Sequence, residues 1–590
     1  MKSSFTLRPL SFGVPLFHVL FLCCLSFCCL LFFCSSLHAQ QAQLIGLVRN
    51  TTQSFNGYTL FAPADYTVTY LIDNCGRAVK TWQSQYVPGQ SAYLLEDGSL
   101  FRTANPRTNR TFSNTGGAGG RVERYDWSGT LQWGYDWSST TFYQHHDAVV
   151  LPNGNVLLLS WDTRTREEAT AAGRKTSLYP MAGLWSDKIV ELKPIGKDSA
   201  AVVWEWRLWD HLVQDNDASK ANFGVVAERP ERLDVNFLNS TTATSDWIHF
   251  NGLAYNAELD QIIVSTRNLS EIYIIDHSTT AAEAASSKGG KQGKGGDFLW
   301  RWGNPEAYKR GTSTDRKLFG QHNPQWIAKG LPGAGNVLVF NNGDERPEGN
   351  YSTIEELQTP VGASGSYTAP TSISATFLPA GSVWTYKANP ATSFFANRIS
   401  SAQRLTNGNT LICEGTKGNF FEVTSTGTNV WQYRNPVGSS GPTAQGSVVM
   451  GQNVFRCVRY APDYAAFKGR TLMAGAPIEL NPNANTCTIT GITDDVAGSI
   501  QDGTMRIAPN PASDGSSTVV YFSLPHPQHV RLALYDMLGR EVLVLLEAEM
   551  AGGEHTVPLS SLHAALPSGA YRLQMKYGTE SQSVLLRIVR

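Results

Sequence analysis

Hydrophobic positions along this chain recur in short runs, without helical spacing. Between about residues 43 and 487 a tight turn repeatedly precedes an apolar strand. Asp97-Gly98 precedes Leu100-Phe101, Asn153-Gly154-Asn155 precedes 156–159, Gly335-Asn336 precedes 337–340, and Asn407-Gly408-Asn409 precedes 410–413. Asn-Gly and Asp-Gly suit such turns because both central positions need positive φ. A second strand follows, and an aromatic-rich third closes the unit: 121–125 then 131–133, 188–192 then 202–206, 271–276 then 298–302, 419–423 then 430–433. Counting 59–82 and 260–302 gives six units with a period of about 50–70 residues, the pattern of propeller blades. Two stacked sandwiches would not repeat this turn–strand–strand–Trp order. The expectation is an all-β chain: a six-bladed β-propeller over 40–490, a linker at 491–504, and a small β-sandwich at 505–590.

Long insertions interrupt the strands at 164–186, 210–245, 277–296 and 344–382. The run 288–296 (KGGKQGKGG) is one residue short of a phosphate loop, lacks Ser/Thr after the Lys, and precedes a strand. It reads as a flexible loop. Composition sharpens the picture: 48 Lys+Arg against 49 Asp+Glu, with only 16% charged residues, excludes a nucleic-acid binder that needs clustered basic side chains. Low charge with 53 Gly and 63 aromatics (26 Phe, 22 Tyr, 15 Trp) also argues against coiled coil and wholesale disorder.

The first 39 residues read as a signal peptide, with basic Lys2 and Arg8, an apolar run over 14–34, and Leu37-His38-Ala39 before Gln40. An uncleaved N-terminal anchor is the rival; either way the chain is exported. Five of nine cysteines lie in this leader. The others, Cys75, Cys413, Cys457 and Cys487, show no CxxC spacing, so one or two disulfides or buried free thiols are the alternatives, with the pairing open.

The C-terminal segment combines a PNP start, LYDMLGREV, SGAYRLQM and a basic last strand ending Ile588-Val589-Arg590. It resembles the C-terminal sorting domain of the Bacteroidetes type IX secretion system. That resemblance implies the type IX machinery as a partner and a secreted or cell-surface destination.

Outside the leader and this segment six histidines remain: His145, His146, His211, His249, His277 and His322. Four lie just upstream of inner-strand patterns, in Gln144-His-His-Asp147, Asp246-Trp-Ile-His249 and Gly320-Gln-His-Asn323, and Arg267 ends the strand 262–266. Inner strands of a propeller converge on its axis, so these histidines should meet there with one arginine. No HxH or HxxxH pair supports a metal, and no GxSxG elbow supports a serine hydrolase. Neutral imidazoles beside a permanently charged guanidinium suit transfer of an anionic group. Taken singly, each histidine also reads as a half-buried residue tying one blade to the next.

At these residues, over 57–460, the chain resembles the bacterial arylsulfate sulfotransferases (arylsulfotransferase, ASST). The carrying segments are HHDAVVLPNGNVLLL (145–159), WRLWDHLVQD (206–215), DWIHFNGLAYNAELDQIIVSTRNLSEIYIID (246–276), GDFLWRWGNPEAYKRG and LFGQHNPQWI (within 296–327). The resemblance implies a six-bladed propeller. It implies a sulfuryl group moved from an aryl sulfate donor to a phenolic acceptor through a sulfated histidine, with no nucleotide or other cofactor. Carried over residue by residue, His322 matches the nucleophile, and His249 and Arg267 match the pair holding the sulfuryl oxygens. One of His145 and His146 matches the remaining active-site histidine, with His146 preferred because it precedes Asp147. Asn251 and Thr416 are weaker sulfate contacts. The short stretch between leader and first blade gives no support to the extra N-terminal domain and dimer of the enterobacterial members, and leaves oligomeric state open. An arylsulfatase, or a non-catalytic secreted propeller that binds ligands, are the competing readings.

Overall fold

The computed structural model describes residues 44–112, 115–238, 243–482 and 487, and residues 505–589 apart from 509–511, 514–517, 537–538, 560–565 and 579. The leader and the linker at 491–504 lie outside the described residues. The chain divides into two compact units, 1–490 and 491–590.

Six antiparallel sheets make up most of the first unit. Sheet 1 joins Val454–Tyr460 to Tyr58–Pro63, Val68–Ile72 and Ala78–Gln83. Sheet 2 is Val87–Leu94, Leu100–Asn105, Arg121–Tyr125 and Leu131–Asp136; sheet 3 is Phe142–Val150, Val156–Arg164, Leu184–Ile195 and Ser199–Arg207. Sheet 4 is Phe250–Asn256, Gln261–Thr266, Glu271–Asp276 and Trp300–Trp302; sheet 5 is His322–Trp326, Val337–Asn341, Thr353–Leu357 and Trp384–Tyr386. Sheet 6 holds Ser401–Arg404, Thr410–Glu414, Asn419–Val423 and Asn429–Arg434, with Gly46–Asn50 added at its edge. Sheets 2 to 5 are simple meanders, as the turn chemistry requires. The two ends of the unit interlock, because 454–460 pairs with 58–63 while 46–50 pairs with 429–434.

The first strands of all six sheets meet. One cavity of about 370 Å³ is lined by Tyr93, Val150, Leu253, Gln325, Gln403 and Cys457, one residue from each. The last strands are linked differently. The indole N–H of Trp82 in sheet 1 donates to the Asp126 carbonyl of sheet 2 at 3.0 Å, and Trp133 donates from there to Ser199 O of sheet 3 at 2.9 Å. Trp204 reaches Thr279 Oγ1 beyond sheet 4, Trp300 reaches Leu378 O beside sheet 5, Trp384 reaches Ser425 O of sheet 6, and Trp431 returns to Asn74 O of sheet 1 at 2.8 Å. The closing aromatic of each unit therefore fastens it to the next, each bond contributing about 1 kcal/mol beyond the burial of the ring.

A second repeat sits at the turns. Asn155, Asn336 and Asn409 each donate Nδ2 to a glutamate of the third strand, Glu191, Glu356 and Glu422, at 2.5–2.6 Å. His277, Arg404 and Arg459 cap the other oxygens of these glutamates, so the buried carboxylates are paired rather than isolated. The insertions carry little regular structure beyond the helices Arg166–Ala171 and Ala281–Ala284 and a parallel pair at Leu212–Val213 and Leu233–Asp234. The run 288–296, expected to be loose, is tied down instead. Its glycines at 289, 290, 293 and 295 all take positive φ. Lys291 N donates to Ser278 Oγ, Gln292 N to Asp276 and Gly296 N to Ser286 O. Of the four cysteines, Cys75 and Cys487 form a disulfide, and Cys413 and Cys457 are buried free thiols.

The second unit is also all β. Met505–Ala508, Val519–Leu524 and Gly553–Pro558 form one sheet; Ala512–Ser513, Glu580–Val589, Gly569–Tyr577, Gln528–Tyr535 and Glu541–Met550 form another. Val520, Phe522 and Leu524 from the first share one core with Leu532, Leu534, Leu573 and Met575 from the second. No helix among the described residues is long and apolar enough to cross a membrane.

Candidate active site

Polar side chains interrupt the first strands where they approach the axis, and the backbone departs from regular β geometry there. Register shifts fall opposite residues 145–147 of sheet 3, beside Asn251 in sheet 4 and after His322 in sheet 5. His146, His249 and Asn323 take left-handed φ of 48°, 59° and 51°, and Ile399 and Ser400, leading into sheet 6, take 49° and 97°. Each such non-glycine residue costs on the order of 1–2 kcal/mol, and bulges of this kind re-aim side chains. The histidines thus lie on or at the start of the inner strands, a little further inward than the apolar pattern suggested. The axis-facing polar residues had hidden the strand beginnings.

His322 is buried, and its Nδ1 lies 2.7 Å from Asn342 Oδ1 and 3.1 Å from Gly320 O. The amide of Asn342 donates Nδ2 to Ala396 O at 2.7 Å and Ile399 O at 2.9 Å, so its Oδ1 must accept. His322 therefore carries its proton on Nδ1. Its Nε2 keeps a lone pair, which accepts from the backbone N–H of Ile399 at 3.1 Å. Burial, with Arg267 and His249 nearby, holds the His322 pKa well below the ordinary imidazole value, so the ring is neutral near pH 7.

Around it stand the other expected residues. His249 gives Nδ1 to Asp246 Oδ2 at 2.5 Å, and Asp246 Oδ1 accepts from Trp161 Nε1 at 3.0 Å, which fixes the carboxylate. The His146 ring meets His249 edge-on with centroids 4.6 Å apart. His146 is buried, and its pKa is pushed well down by burial, His249, His145, His322 and Arg267. Arg267 bonds Asp344 Oδ2 at 2.8 Å, and its backbone N–H donates to His249 O at 3.1 Å. Phe455, from sheet 1, lies 6.0 Å from the His146 ring and 6.4 Å from His322. The His146 ring lies directly over Gly117: a Cβ there would fall 1.8 Å from its Cε1.

His145 faces away from this group. It stacks on Trp161 at 4.3 Å, with Nε2 3.0 Å from Asp187 Oδ1. The neighbour that prompted the preference for His146, Asp147, takes no part in this group and binds Tyr93, Arg456 and Leu253 N. Asn251 supports the site from behind, donating Nδ2 to Gln321 O at 2.8 Å. Thr416 is half-buried in the turn Gly415–Lys417, whose Gly415 N–H is held by Ser400 Oγ. His211 and His277 lie elsewhere, with both ring nitrogens engaged: His211 by Asp297 and Ala284 O, His277 by Asp260 and Glu191.

Sequence reasoning missed Asp246, Asn342, Asp187, Phe455 and the Ile399 N–H. Asp246 was open to discovery, three residues before His249 in the quoted motif. Asn342, in the Asn341-Asn342-Gly343 turn, reads as turn chemistry, and a backbone donor leaves no mark on a sequence.

Solved structures similar to this chain include a protein of unknown function from Bacteroides caccae, at 12% identity over 68% of this chain and 98% of that one, with a TM-score of 0.36. Another is the Cps50 (Swd1) β-propeller domain from Myceliophteria_thermophila, at 9% identity over 66% and 90%, with a TM-score of 0.33. No curated protein matches the chain. The model of the arylsulfotransferase (ASST) family matches residues 48–440. The chain belongs to that family, whose activity is aryl sulfotransfer, and the match spans the whole histidine–arginine cluster.

Proposed function

We propose that this protein transfers a sulfuryl group from an aryl sulfate to a phenol in two steps through a sulfated His322. The observation that carries the reading is the neutral, tautomer-fixed His322, whose Nε2 lone pair accepts from the Ile399 N–H, with Arg267 and His249 near the ring. Sulfuryl transfer parallels phosphoryl transfer: the transition state is loose, and the protein supplies alignment and charge. Nε2 attacks sulfur and the aryl oxygen leaves. Arg267 and His249 hold the SO3 oxygens, and His146 protonates the leaving phenolate and later deprotonates the acceptor. The proton on His322 Nδ1 rests on a neutral amide rather than a carboxylate, so the sulfated ring stays electron-poor and gives up its group readily. The Ile399 N–H, freed from Nε2 when sulfur binds there, is placed to donate to a sulfuryl oxygen.

The six sheets are read as six propeller blades about one axis, supported by the shared inner cavity and the circle of indole bonds. The second unit is read as a sandwich that serves type IX export, after removal of a signal peptide, to the surface or the medium. The test is intact mass and peptide mapping after brief exposure to an aryl sulfate without acceptor. An SO3 adduct on His322 that a phenol removes supports the reading. Steady phenol release in water alone would make the protein a sulfatase, and neither adduct nor release would make it a binding protein.

A further inference from the structure

The mechanism asks His146 to give a proton to one phenol and take one from the next. His146 Nδ1 lies 2.9 Å from His145 Nδ1, and His145 Nε2 lies 3.0 Å from Asp187 Oδ1; all three side chains are buried. Two imidazole Nδ1 atoms at that distance share one proton, which couples their tautomers. With the proton on His145 Nδ1, His146 carries its own on Nε2, the nitrogen not engaged by His145. With the proton on His146 Nδ1, that same Nε2 becomes a lone pair. Building on the sulfotransferase reading, we propose that Asp187, His145 and His146 form a proton relay that switches His146 from acid to base between the two half-reactions.

The protons balance as follows. In the first half-reaction the bond from sulfur to the aryl oxygen breaks and the bond from His322 Nε2 to sulfur forms. The phenolate takes the proton from His146 Nε2, His146 Nδ1 takes that of His145 Nδ1, and His145 Nε2 takes that of the Asp187 carboxyl. Phenol leaves, both relay histidines remain neutral, and the carboxylate appears as the sulfated His322 ring becomes positive. The acceptor phenol drives every transfer back.

The surroundings suit this cycle. Asp187 is faced by the charge of Asp246, by His249, by the Phe250 N–H at 3.3 Å and by His145. Burial and the Asp246 charge push its carboxyl well above the usual range, which favours the protonated form from which the relay starts. Asp187 Oδ2 and His145 Nε2 are both buried without a hydrogen-bond partner among the described residues, the 3.0 Å approach of Nε2 to Oδ1 being a close contact that the carboxyl proton would complete; an unpaired Oδ2 is costly for a carboxylate and tolerable for an acid. Burial holds His145 down to about 3, so the proton passes through it without being trapped as an imidazolium. Neither Asp187 nor His145 touches substrate; both are positioning residues.

The experiment compares single-turnover phenol release by the full chain and its Asp187→Asn variant across aryl sulfates of rising phenol pKa. A relay that supplies the acid matters most for poor leaving groups. The variant should lose about 100-fold with phenyl sulfate and about a tenth as much with 4-nitrophenyl sulfate. Equal losses across the series would overturn the relay and leave the sulfotransferase reading standing. No release from any aryl sulfate by the unaltered protein would overturn both. Should the variant not fold, a proton inventory on the unaltered protein with phenyl sulfate decides: a bowed plot, from several protons in flight, supports the relay, and a linear one overturns it.

Discussion

At the outer edges of the six sheets Trp82, Trp133, Trp204, Trp300, Trp384 and Trp431 sit in regular strands, each bonded to the neighbouring sheet or to a loop beside it. At the inner edges His146, His249, Asn323, Ile399 and Ser400 hold left-handed backbone, and the rings of His146 and His322 are buried and neutral. The outer edge repeats because every sheet faces the same problem of gripping the next. The inner edge does not repeat, because a reacting site needs different groups from different sheets. Strain concentrates where the surrounding structure can over-determine it, and the indole circle is part of what does so.

The sharpest way to break this contrast is His322→Ala. Turnover of aryl sulfate should fall by about 10⁴-fold or more while circular dichroism stays that of a folded β protein. Retained activity would remove the nucleophile from the inner edge. Arg267→Lys should cost about 10²–10³-fold, because a point charge cannot replace a fork that holds Asp344 and, in the proposed mechanism, a sulfuryl oxygen as well; an unchanged kcat/KM would contradict that role. Gly117→Ala, in sheet 2's own loop, should cost about 100-fold by displacing His146 without altering any reacting group. Wild-type rates in that variant would show that the histidine has room after all.

Acid titration tests the burial of the inner edge. His145 and His146 have folded pKa values below their unfolded value near 6.5, so the unfolded chain binds more protons below that pH. Stability contributed by these neutral rings is full above pH 6.5 and declines as pH falls toward about 3, which denaturant midpoints at pH 7, 5 and 4 can measure. Activity should by contrast persist below pH 6.5, since His322 also stays neutral there. The smallest effect belongs to the outer edge. Trp431→Phe should lower stability by about 1–3 kcal/mol with kcat nearly unchanged, and a large activity loss would mean the two edges are less separate than drawn.

The sequence alone determined the elements of this protein. Asn-Gly and Asp-Gly turns, period-two strands and closing tryptophans are local features, legible because turn φ and strand pleat depend on residues a few positions apart. The family segments made His322, His249 and Arg267 legible as candidates for the same reason. Tertiary structure alone decided which nitrogen of His322 keeps its lone pair, since Asn342 answers to carbonyls at 396 and 399. It also turned His146 inward and His145 back toward Asp187. Adjacent residues on a strand point to opposite faces, but which face is the site depends on a bulge and on neighbours from other sheets. Contacts of that kind span 20 to 300 residues of chain, and no window along the sequence contains them.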